Sequence, residues 1–234
     1  MTSFATFAGS SVGKKVLVAV TGLMLFGFVI VHLIGNLTLF IPDHGKAFNE
    51  YAHFLETLLH GWLIIAFEVG LVAVFLVHAI FAITASWLDK RRARPQRYAL
   101  VKNAGGKSRK TLASISMIVT GPLILAFVVI HVAMFKYANH PTVTYHGTEM
   151  KDFYTVVVTA FKSPWITLGY MAAMVVLGTH LWHGVWSAFQ SLGWNSDRHI
   201  TCLTRLSIAA AVVLGAGFFA LPPYIYFFAA TGGH

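Results

Sequence analysis

The sequence predicts an all-α integral membrane protein, a single domain over residues 1–234 with five transmembrane helices. Three observations predict it. The chain is 57% hydrophobic and 11% charged, whereas a soluble domain carries about 25% charged residues to cover its water-facing surface. Five stretches reach the roughly 20 mostly apolar residues that a helix needs to cross a bilayer. The charged residues gather between those stretches rather than within them. This pattern argues against a soluble enzyme, a nucleic-acid reader and a disordered tail.

The first stretch, 16–41, follows Lys14 and Lys15. It is too long for a signal-peptide core, and the polar His32 and Asn36 within it suit a retained helix. The second covers 58–88, the third 112–137, the fourth 164–192 and the fifth 203–228. Tryptophans punctuate their ends, with Trp87 and Trp194 on one side and Trp62 and Trp165 on the other. Such amphipathic rings settle at the headgroup level of a bilayer.

The connecting segments set the expected topology. The amino terminus, the 89–110 loop and the 193–205 loop hold thirteen of the seventeen Lys and Arg residues, and the other two loops hold only Lys46, Lys136, Lys151 and Lys162. By the positive-inside rule the amino terminus is cytoplasmic and the carboxyl terminus lies outside. The formal charge of +9 therefore reports orientation against membrane lipid headgroups, with no nucleic-acid partner. The only cysteine, Cys202, excludes a disulfide framework and a cysteine-ligated cluster or zinc site within this chain alone.

The chain also repeats itself. Thr21-Gly22 leads to Phe28-Val29-Ile30-Val31-His32, and Thr120-Gly121 leads at the same spacing to Phe127-Val128-Val129-Ile130-His131, an offset of 99 residues. The second and fourth stretches match more loosely, with Trp62 16 residues before His78 and Trp165 15 before His180. The first four helices read as two related hairpins, with the fifth added.

Four of the twelve histidines, His32, His78, His131 and His180, lie one in each of the first four apolar stretches. Ionisable groups in a bilayer interior are rare and face the bundle interior or a functional site. Helix rise pairs them. His32 is 18 residues from Lys14 and His131 is 21 from Lys110, so both lie roughly 27 to 32 Å from the inner boundary. His78 is 11 residues from Asp89 and His180 is 13 from Gly193, roughly 17 to 20 Å in. Two histidines facing each other across a bundle can fill both axial positions of a haem iron, which suits electron transfer. The first four helices are therefore expected to form a bundle binding two haem b groups. Gly27, Gly35, Gly178 and Gly184 lie within about two turns of these histidines, where missing side chains either admit a flat macrocycle or allow close helix packing. His183, one turn from His180, is the alternative ligand on the fourth helix, and the repeat favours His180.

Glu68 is the only acidic residue inside an apolar stretch, 10 residues from His78, which places it about 15 Å further out near the His32 and His131 level. A carboxyl group there must be protonated, hydrogen-bonded or in contact with water. It is the leading candidate for a proton-handling group, with a rival site at Trp194, Asp197 and Arg198.

Five spans with one interior histidine on each of the first four resemble the dihaem cytochrome b membrane anchor of succinate:quinone oxidoreductases and quinol:fumarate reductases. The segment His180-Leu-Trp-His183-Gly184-Val-Trp186 followed by Gly193-Trp194 is similar to the family's haem-binding helix before its cytoplasmic end, with His183 where relatives often carry Asn. The resemblance covers nearly the whole chain. It implies that His78 and His180 bind the haem nearer the cytoplasm and His32 and His131 the outer one. It also implies a flavoprotein subunit that interconverts succinate and fumarate, an iron–sulfur subunit on the cytoplasmic face, quinone, expected to be menaquinone, as substrate, and a bacterial cytoplasmic membrane. No residue of this chain would then act on the dicarboxylate. Competing readings are a cytochrome b subunit of a hydrogenase or formate dehydrogenase, a cytochrome b561-like protein, a transporter with proton-relay histidines, and a structural anchor without cofactors.

Overall fold

A computed structural model of the chain describes residues 3–89, 112–194, 196 and 198–230. It is mostly helical. Helix α1 covers Phe4–Gly9, α2 Ser11–Asn36, α3 Lys46–Thr57, α4 Trp62–Ile83, α5 Leu112–Phe135, α6 Phe153–Phe161, α7 Pro164–Ser191 and α8 Ile200–Phe228. Five of these, α2, α4, α5, α7 and α8, are long and apolar enough to cross a membrane. Apolar side chains surround them on every side, and none of the most apolar part of α4 is buried within the protein. A helix that is apolar all round needs an apolar medium or partner for its outer face.

The five predicted stretches coincide with these helices, and the differences sit at their ends. Helix α2 begins five residues earlier, at Ser11, and tightens into a 3₁₀ turn over Leu37–Phe40. Helix α4 starts at Trp62 rather than at residue 58 because Leu59 (φ 51°), His60 (φ 56°) and Gly61 (φ 83°) are left-handed and cannot continue a right-handed helix. It ends in a π-helical turn over Thr84–Leu88. Helix α5 runs through Pro122, and α8 through Pro222 and Pro223. The basic run within 90–110 lies outside the described residues.

The chain divides into two compact units. The first comprises Met1–Gly27, Leu71–Pro122 and Leu177–Val212, and the second Phe28–Gly70, Leu123–Val176 and Val213–His234. Each of the five long helices contributes a segment to both. Within the first unit, Lys14 Nζ donates to Asp89 Oδ2 at 2.7 Å and ties the start of α2 to the end of the α4 segment. Lys14 and Asp89, the inner boundaries for His32 and His78, therefore meet.

The second unit carries an ordered polar assembly absent from the all-α expectation. Strands β1 (Thr142–Tyr145) and β2 (Thr148–Lys151) form an antiparallel hairpin, with Val143 opposite Met150 and both buried. Its two-residue turn, His146-Gly147, has φ of 52° and 80°, the pattern that matches the twist of a tight hairpin. Asp43 opens α3 by accepting from the backbone N–H groups of Gly45 and Ala47, and Asp152 opens α6 by accepting from Thr155. Asn49, 1% exposed, joins them: its Nδ2 donates to Asp152 Oδ1 at 2.9 Å and its Oδ1 accepts from the Tyr154 backbone N–H at 2.9 Å. Burial raises the Tyr145 and Tyr154 phenols above their ordinary value, so both stay neutral.

Asn49→Ala leaves a buried carboxylate oxygen and a backbone N–H short of a partner, a loss of about 1–3 kcal/mol. Hydrogen exchange across 142–161 is expected to rise about tenfold or more, since 1.4 kcal/mol is a factor of ten. Unchanged exchange there would show that Asn49 does not hold the hairpin and α6 in place.

Candidate functional site

The first unit holds His78 on α4 and His180 on α7, and the same device fixes both rings. His78 Nδ1 lies 3.1 Å from the Val18 carbonyl oxygen and 3.2 Å from Thr21 Oγ1, both on α2. A carbonyl can only accept, so Nδ1 carries the proton and Nε2 keeps its lone pair. The Thr21 hydroxyl donates to the Leu17 carbonyl at 2.6 Å and is left to accept from the imidazole. His180 Nδ1 lies 3.1 Å from Thr120 Oγ1 on α5. Thr21 and Thr120 are both buried. The repeated Thr-Gly pair thus has a physical meaning that the sequence signalled only as a repeat: the hydroxyl of one helix receives the histidine of the next.

The second unit brings His32 and His131 together. Their ring centroids are 5.8 Å apart and their planes 84° from parallel. Each ring stacks on the phenylalanine one turn earlier on its own helix, His32 on Phe28 at 5.3 Å and His131 on Phe127 at 5.6 Å. Phe218 of α8 lies 5.7 Å from His32. The Asn36 amide sits 3.5 Å from His32 Nε2, and Tyr170 Oη lies 3.4 Å from His131 Nδ1. These contacts are long for hydrogen bonds, so aromatic packing, more than polar contact, orients this pair.

The donor set fits haem iron. Among the described residues no three His, Cys, Asp or Glu side chains converge on one point, so there is no all-protein metal cage of the usual kind. Histidines in twos suit a metal whose other positions a macrocycle fills. A side chain built at Gly27 or Gly184 would meet nothing within 4 Å, whereas Gly35 is filled by the Tyr51 ring, 2.6 Å from the same point. The sequence left these glycines open between making room and packing helices; Gly27 and Gly184 have room, and Gly35 packs.

The remaining candidates separate. His183 is half-buried and makes no hydrogen bond or ring contact among the described residues, in contrast to the anchored His180. Glu68 forms an ion pair with Lys136, the residue just after α5, each side chain nearly half exposed. It belongs to the second unit with His32 and His131. Trp194 completes the end of α7: Gly193 is left-handed (φ 89°), the Trp194 N–H donates to the Phe189 carbonyl at 2.9 Å, and the two rings stack at 5.6 Å. This is the glycine-ended helix cap with its customary apolar contact. Arg198 is exposed, and Asp197 lies outside the described residues. The sequence does not single out Thr21 and Thr120 as partners of His78 and His180, Tyr170 as the neighbour of His131, or Lys136 as the partner of Glu68. Comparison with protein families, with characterised proteins and with solved structures finds no match to this chain.

An exposed pair of this kind contributes roughly 0.2–1 kcal/mol, and like charges in the same place repel. Glu68→Lys should lower the melting temperature of the protein in detergent, and the exchanged double variant Glu68→Lys with Lys136→Glu should recover most of the loss. A double variant as unstable as the single one would contradict the pairing.

Proposed function

We propose that this chain is the membrane-anchor cytochrome b subunit of a succinate:quinone oxidoreductase, passing electrons between an iron–sulfur subunit and membrane quinone. The observation that supports it best is the pairing of histidines on four long apolar helices, with His32 against His131 and with His78 and His180 anchored alike by threonines. Held by a pair of these imidazoles, haem b would supply a one-electron couple for electron transfer. His32 and His131 hold the outer haem, and His78 and His180 the one nearer the cytoplasm. The chain's own work is to present neutral imidazoles, keep water from them with apolar helices, and fix each ring. A resident flavoprotein subunit carries out the succinate and fumarate chemistry, and the basic 90–110 segment faces the cytoplasm of a bacterial cell, where the iron–sulfur subunit docks.

Quinone reduction takes up two electrons and two protons. Glu68, placed in the same compact unit as His32 and His131 and paired with Lys136, is the residue assigned to those protons, with menaquinone as the quinone. The segment containing Trp194, Asp197 and Arg198 is the alternative quinone position.

Substitution of each histidine tests the assignment. His32→Ala and His131→Ala should each reduce the haem content of the purified chain from two to one and leave the same remaining spectrum, and His78→Ala and His180→Ala should leave the other. Variants that all keep two haems would overturn it. Co-purification tests the complex: subunits bearing flavin and iron–sulfur clusters with succinate dehydrogenase activity are expected, and a hydrogenase or formate dehydrogenase partner would reassign the chain to another quinone-linked complex.

A further inference from the structure

We infer that Thr21 and Thr120 are positioning residues that fix His78 and His180 in the single tautomer able to bind iron, an inference that rests on the haem reading above. The case is made by the same bond appearing twice. Thr21 and Thr120 are separated by 99 residues and His78 and His180 by 102, yet each hydroxyl meets the Nδ1 of its histidine at nearly the same distance, 3.2 and 3.1 Å. Both threonines are buried. A neutral imidazole has one N–H and one lone pair, and in apolar surroundings an N–H without an acceptor is costly. Holding the N–H at Nδ1 directs the lone pair of Nε2 to the metal. The hydrogen bond also raises the basicity of the ligating nitrogen.

The order of the hydroxyl's own bonds gives the direction at His78. The Thr21 proton is committed to the Leu17 carbonyl at 2.6 Å, and the Val18 carbonyl, 3.1 Å from Nδ1, can only accept. The imidazole is therefore the donor. The glycine that follows the first threonine belongs to the device, and its counterpart after the second does not. A Cβ on Gly22 would lie 3.0 Å from His78 Cε1, tighter than side chains ordinarily pack, whereas one on Gly121 would lie 4.0 Å from His180 Cε1, an ordinary contact. The ring of His78 leans on the backbone of α2, and that of His180 stands further off α5.

The test uses the full chain purified with its haem. Thr21→Val and Thr120→Val keep the side-chain shape and remove the hydroxyl, and Thr21→Ser and Thr120→Ser restore it. Each valine variant should shift the redox midpoint of the His78/His180 haem upward, alter its low-spin electron paramagnetic resonance signal, and weaken its retention against a haem-scavenging protein about 10- to 100-fold. The His32/His131 haem should be unchanged in the same sample, which shows that the chain is folded. The serine variants should return the wild-type values. Gly22→Ala should disturb the same haem, and Gly121→Ala should leave it near wild type. Valine variants with wild-type midpoints, signals and retention would overturn the role of the threonines while leaving the haem reading intact. Serine variants as defective as the valines would overturn it too. A wild-type chain that holds no haem would overturn the haem reading, and this inference with it.

Discussion

A histidine inside an apolar helix must give its ring N–H an acceptor, and much of this molecule can be understood from that constraint. At His78 the requirement is met within one helix turn of α2, where the Val18 carbonyl and the Thr21 hydroxyl both face Nδ1. Neither group is available by accident. The hydroxyl is buried and its proton is already spent on Leu17, and the ring reaches the backbone only because residue 22 has no side chain. Removing water from such a site strengthens the hydrogen bond and makes its loss more costly.

The repeat extends this solution to two hairpins. Threonine, glycine, phenylalanine and histidine recur together at an offset of 99 residues along α2 and α5, and each has a place: the hydroxyl serves the histidine of the following long helix, while the phenylalanine stacks under the histidine of its own. One difference between the hairpins falls beside the second histidine pair. Subtracting the 102-residue offset of the α4 and α7 histidines from Tyr170 gives residue 68, so Tyr170 and Glu68 are counterparts. Tyr170 packs against His131, at 6.0 Å between ring centroids, and Glu68 reaches away to Lys136. A duplicated frame has been given an aromatic group in one half and a carboxylate in the other.

What was legible in the sequence follows from the strength of each physical signal. A 20-residue apolar run is decisive, so all five long helices were found, and only their ends moved. The end at Trp62 moved because left-handed Leu59 and His60 carry no mark in composition. The pairing of His32 with His131 was legible because helix rise is fixed. The role of Thr21 and Thr120 was not, since it depends on which face of α2 meets α4, and hydropathy says nothing about that in a helix apolar all round. The 142–151 hairpin was legible in principle: alternating Val143, Tyr145 and Met150 flank a His146-Gly147 turn. It lies in a polar stretch between two apolar runs, where composition alone reads as a connecting loop. Asn49, almost wholly buried at 1% exposure, could not have been singled out, because its partners Asp152 and Tyr154 are more than 100 residues away.

The central claim is that two histidine pairs each hold one haem by both axial positions. Electron paramagnetic resonance of the oxidised, purified chain, read beside its haem-to-protein ratio, tests it most directly. Two haems per chain with two distinct low-spin signals of bis-imidazole type, and no high-spin component, are predicted. A chain without haem, with a single haem, or with a high-spin signal that marks an open axial position would contradict it.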